Sequence, residues 1–70
     1  MRNETPLAQA ERHVREAEAR ILRQHELISR LAREGHDTAE AEKLLRTLLQ
    51  TLAPMRDHLA MEQRSAEQPE

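Results

Sequence analysis

Apolar side chains recur along the first half of the chain at a spacing of seven. Leu7, Val14, Ile21 and Ile28 form one row, and Ala10, Ala17, Gln24 and Leu31 form a second row three residues on. These are the a and d positions of a heptad, and they place one stripe on one side of a helix. The stripe opens at Thr5-Pro6. Thr caps a helix, and Pro suits the first helical position because its missing N–H would find no partner there anyway. The stripe stops at Gly35, the only glycine, which enters the left-handed backbone of a helix end without a Cβ clash. Asp37-Thr38-Ala39-Glu40 then predicts a capping box, with Asp37 as the cap and Glu40 reaching back. A second pair of rows follows: Thr38, Leu45, Leu52 and Leu59, then Ala41, Leu48, Met55 and Glu62. Pro54 falls among them. It removes a backbone hydrogen bond and crowds the carbonyl of Gln50, so it predicts a kink in an otherwise continuous helix.

The expected fold is therefore all-α, an antiparallel, coiled-coil-like helical hairpin. Its parts are a flexible N-terminus over 1–5, a helix over 6–34, a turn over 35–37, a helix over 38–64 kinked near Pro54, and a disordered tail over 65–70. Each helix is about 28 residues, or roughly 42 Å long. Aligned from the turn, Leu31 falls level with Ala41, Ile28 with Leu45, Gln24 with Leu48, Ile21 with Leu52, Ala17 with Met55 and Val14 with Leu59. Further apolar residues lie outside the two rows: Leu27 and Leu44 at g, Leu49 at e and Leu22 at b. A helix needs that extra width when it touches two neighbours. The pattern thus predicts a homodimer, two hairpins forming a four-helix bundle. Its interface would draw on Leu22, Leu27, Leu44 and Leu49 with Ile21, Ile28, Leu45, Leu48, Leu52 and Met55. Gln24, polar on a core row, would fix register by bonding to a symmetry mate.

Composition narrows the function. The 70 residues allow one small domain, and domains of this size need help from cross-links, metals or assembly. There is no cysteine, which removes disulfides and thiolate metal sites, and no aromatic residue, which removes base-stacking nucleic-acid modules. A formal charge of −2 gives phosphate backbones and anionic membranes little to attract. No apolar run follows the first residues as in a signal peptide, and none nears the roughly 20 residues of a membrane span. The expected location is cytoplasmic.

Candidate chemistry is sparse. Glu11/Arg15, Glu16/Arg20, Glu26/Arg30 and Glu42/Arg46 stand at i,i+4 and are expected to pair. That pairing would neutralise the arginine stripe of Arg12, Arg15, Arg23, Arg30 and Arg33, which otherwise suggests RNA. His13 and His58 fall at one level on one flank, with Glu16 and Glu62 a turn away. These four are the candidate metal ligands, but the spacing is common in glutamate-rich helices and a surface role is favoured. His25 flanks Gln24 and His36 lies in the turn, where a polar side chain needs no further role. No nucleophile, phosphate loop or acid pair has a motif around it, so neither an enzyme nor a cofactor is expected.

The stretch from Arg30 to Ala41, with its Gly-His-Asp-Thr turn at Gly35–Thr38, carries a resemblance together with Glu11-Arg12-His13-Val14 and Arg23-Gln24-His25-Glu26-Leu27-Ile28. Across most of residues 11–60 the chain resembles a family of short alphaproteobacterial proteins of unknown function. The resemblance implies a bacterial helical protein and brings no activity or catalytic residues; Pro54 departs from the family's pattern. In architecture alone the chain is similar to the Rop RNA-binding dimer, whose RNA face carries an aromatic residue that is absent here. Three roles follow in order: a homodimeric structural or protein-interaction module, an adaptor or small regulator whose hairpin docks on a larger protein, and an RNA-binding dimer of the Rop kind.

Overall fold

The computed structural model describes residues 4–67. It consists of two helices, α1 (Pro6–Arg33) and α2 (Ala39–Glu67), with no strand among the described residues. They pack along their length as a helical hairpin. The molecule measures 57 × 26 × 14 Å, which is one layer of two helices.

Local chemistry accounts for the boundaries. The Thr5 hydroxyl accepts from the Ala8 N–H at 3.0 Å, and Pro6 takes the first helical position. At the far end Gly35 has φ 79°, the left-handed conformation. The Gly35 N–H donates to the Ala32 carbonyl at 3.1 Å, and the His36 N–H to the Leu31 carbonyl at 2.9 Å. This bond pair is a Schellman motif, and it satisfies carbonyls that the helix end would leave bare.

The start of α2 departs from the expected capping box. Thr38 is the cap, because its carbonyl accepts the first helical bond from the Glu42 N–H at 2.9 Å. Asp37 sits one residue earlier and accepts from the Ala39 N–H at 2.9 Å. Glu40 does not reach back; the carboxylate that closes the turn is that of Glu42, which accepts from the Thr38 hydroxyl. With Thr38 as the cap, the third position after it is Ala41, which has no group to reach back, and Glu42, one residue further on and one helical turn above Thr38, supplies the carboxylate.

At its other end α2 runs to Glu67, past the expected stop at 64. Arg64-Ser65-Ala66-Glu67 contains no glycine or proline, so nothing local ends the helix there. The expected disorder of 65–70 therefore does not hold for residues 65–67, and that of residues 68–70 and 1–3 lies outside the described residues. Glu4 and Thr5, also expected to be loose, are tied into an ion pair and the helix cap. The helix is continuous across Pro54.

All the a and d positions of both helices are buried or half-buried, so the heptad rows are the seam. Val14, Ile21 and Leu52 form its centre, with Ala17, Leu45, Leu48, Met55 and Leu59 packed around them. Gln24 is buried too, and its partner is within the hairpin: Nε2 donates to the Ala41 carbonyl at 2.8 Å. No symmetry mate is needed to satisfy it. The bond also changes the register. Ala41 and Leu48 are seven residues apart, about 10 Å along a helix, further than a glutamine side chain reaches. Gln24 therefore lies towards Ala41, nearer the turn on α2 than the expected level of Leu48.

Candidate interaction surface

The seam takes in the heptad rows but buries few of their side chains completely. Of the residues expected at an interface between copies, Ile21 and Leu52 are buried inside the hairpin, and Leu27, Ile28, Leu45, Leu48 and Met55 are half-buried. Leu22, Leu44 and Leu49 stay outside at 60%, 49% and 46% exposure, and Met61, which the heptad reading passed over, joins them at 57%.

These residues fall on two sides. In an antiparallel pair the e flank of one helix meets the e flank of the other, and likewise for g. The e flanks meet at Arg56 and Glu18, 2.9 Å apart. Leu49 lies on that side and Leu22 just behind it, among charges. The g flanks meet around an open apolar groove of about 290 Å³, lined by Ala10, His13, Thr51, Pro54, Met55 and His58. Leu44 is on this side as well, seven residues before Thr51.

The groove side has a property that a/d counting misses. Beyond Glu40 in its first turn, the g and c positions of α2 are Leu44, Thr47, Thr51, Pro54, His58, Met61 and Ser65, and none of these seven is Asp, Glu, Lys or Arg. Thr47 and Thr51 donate their hydroxyls to their own helix, to the carbonyls of Lys43 at 3.3 Å and Thr47 at 2.9 Å. The hydroxyls are thus occupied, leaving the methyls to dominate the surface. At 100° per residue this stripe is centred about 110° around α2 from the seam. A helix with a second neighbour carries its second apolar face near that angle.

Comparison with protein families, curated proteins and solved structures finds no match to this chain. The surface alone carries the functional reading.

The charges are arranged otherwise than expected. None of the four Glu/Arg pairs at i,i+4 closes to an ion pair among the described residues. Such contacts gain only tenths of a kcal/mol in water, too little to hold one geometry. Arg12 is engaged instead, by Glu4 through Nε at 2.9 Å and Nη2 at 3.0 Å, and by Glu16 at 3.3 Å. The bond from Arg12 is the main cause holding the Glu4 carboxyl below its usual range. Glu4 and then Glu16 push the Arg12 guanidinium further above its own. Arg15, Arg23, Arg30 and Arg33 have no ion-pair partner among the described residues, so the stripe is not neutralised by local pairing.

The four candidate metal ligands separate in the same way. His13 and His58 do face one groove. Glu16, however, turns to Arg12, and Glu62 lies 3.6 Å from His58. No three His, Asp or Glu side chains converge on a metal-sized site among the described residues. None of the described helices is long and apolar enough to cross a membrane.

Proposed function

We propose that this chain is a non-enzymatic protein-interaction module that works as a homodimer, two hairpins stacked into a four-helix bundle. The observation that carries the reading is the area left uncovered. The chain exposes 5749 Å², whereas a compact monomer of 8.2 kDa exposes about 4,500 Å². The excess, roughly 1,200 Å², exceeds the 800 Å² or so that each partner contributes to a standard interface. The interior agrees, because the buried apolar residues are only Ala10, Val14, Ile21 and Leu52 among the described residues. Joining two one-layer hairpins face to face supplies the missing second layer.

Sedimentation equilibrium of the purified chain across micromolar concentrations tests the proposal. A mass of two chains, with helix content that falls on dilution, is the expected result. A folded monomer at every concentration refutes it.

A further inference from the structure

Resting on the dimer reading, we infer that the two copies meet through the uncharged stripe of α2, antiparallel, with Leu44 of each copy seated in the groove of the other. The occupant is a second copy because the stripe is complementary to itself. Thr47 and Thr51, small residues whose hydroxyls are held by their own helix, stand at its middle. A twofold axis passing between them lets the two α2 backbones approach closely.

That axis fixes what faces what. Residues equally far from it in opposite directions come level, so Leu44 of one copy meets Pro54 of the other. Leu44 is a half-exposed aliphatic side chain with nothing to cover it, and Pro54 sits on the rim of an apolar groove with nothing to fill it. Symmetry makes the contact twice. The groove opens towards α1, and g residues such as Leu44 lie on the α1 side of the stripe, so side chain and groove are on the same side of the axis.

Charge agrees with this register. Lys43 and Asp57 border the stripe, and neither has an ion-pair partner in its own chain among the described residues. The axis that seats Leu44 brings Lys43 of one copy to within two residues, about 3 Å along the helix, of the level of Asp57 of the other, a gap the lysine side chain spans, again twice. Gln50, one residue from the axis, stands within about 3 Å of the level of its own mate, within reach for the two amides to pair. Shifting the register one heptad further puts Lys43 beside Arg64 and loses both the pairing and the filled groove. The matching face of α1 bears Glu16, Arg20, Arg23 and Arg30, so the contact centres on α2 and α1 stands at its edge.

The test is sedimentation equilibrium of single and double variants, with circular dichroism to follow helix content. Leu44→Glu is expected to abolish dimers at micromolar concentration, while Leu49→Glu and Leu22→Glu, on the other side, leave the mass at two chains. Lys43→Glu and Asp57→Lys, both at exposed positions that do not endanger folding, are each expected to weaken association about tenfold. The double variant, with the pair reversed, returns it to within about twofold. A dimer that survives Leu44→Glu, or one in which the reversed pair brings no recovery, overturns this inference and leaves the dimer standing. A wild-type chain that is a folded monomer overturns both.

Discussion

Gln24 offers the sharpest test of how the seam is held. Its amide is buried and donates to the Ala41 carbonyl at 2.8 Å. Gln24→Leu removes that bond without orphaning its acceptor, because Ala41 lies inside α2, where the helix ladder supplies another donor. The loss is therefore the net value of one hydrogen bond, about 0.5–1.5 kcal/mol. Against it stands the burial of a leucine side chain of similar size, about 1.5–3 kcal/mol. The variant is expected to be more stable by about 1 kcal/mol, which for a domain this small raises Tm by about 4–8 °C. Gln24→Ala, which loses the bond and leaves space behind, is expected to be less stable by about 1–2 kcal/mol. Urea unfolding at one fixed protein concentration measures both, since assembly makes the midpoint depend on concentration. The leucine variant should also hold its register less firmly, seen as a broader distance distribution between labels on Ser29 and Lys43. A leucine variant less stable than wild type by 1 kcal/mol or more refutes the reasoning, because the bond would then outweigh the burial that replaces it.

Three further outcomes are expected. Gly35→Ala has nothing within 4 Å of the added Cβ, so its cost is the left-handed backbone alone, about 1–2 kcal/mol by thermal or urea unfolding; no loss would show that the turn relaxes to another form. Pro54→Ala restores the bond to the Gln50 carbonyl in a continuous helix and is expected to stabilise the fold by up to about 3 kcal/mol, less whatever Pro54 contributes in the groove; an unchanged or lower melting temperature refutes this. The Glu4 carboxyl, held below the usual 4.5 by its bond from Arg12, favours the folded state at pH values above that range, and its contribution is lost as pH falls through the lowered value. Carboxyl NMR titration should show Glu4 moving up in Arg12→Ala, and an unmoved Glu4 would count against the pair.

The helices and the seam were legible because their signals are repeated. The a and d rows each recur four times per helix, so single ambiguous residues such as Thr38 and Glu62 do not spoil the phase. The turn was legible through Gly35, whose φ of 79° suits no other residue as well. What was misread rests on single weak contacts. Whether Asp37 or Thr38 caps α2 is a choice between adjacent residues with the same chemistry, and it carried Glu40 and Glu42 with it. The i,i+4 ion pairs are too weak in water for spacing alone to decide, and Arg12 took Glu4 and Glu16 instead. The register along the seam depends on one amide finding one carbonyl, a distance that no periodicity encodes. The second stripe of α2 was missed for another reason. Threonine, proline and histidine do not read as apolar, although the absence of charge from Leu44 to Ser65 at g and c was there to be counted.

The Schellman turn also sets an order of events. The cross-helix bond nearest to it joins residues 17 apart, Gln24 and Ala41, whereas Arg56 and Glu18 are 38 apart. Closing a longer loop costs more entropy, about 0.6 kcal/mol for each doubling, and every contact formed near the turn shortens the loop still open beyond it. The hairpin is therefore built to close from Gly35 outward. The same gradient divides the effects of mutation between two rates. Changes at Gly35 are expected to slow folding with little effect on unfolding, while truncation of Val14 or Leu59, far from the turn, chiefly quickens unfolding, a division that stopped-flow kinetics reads directly.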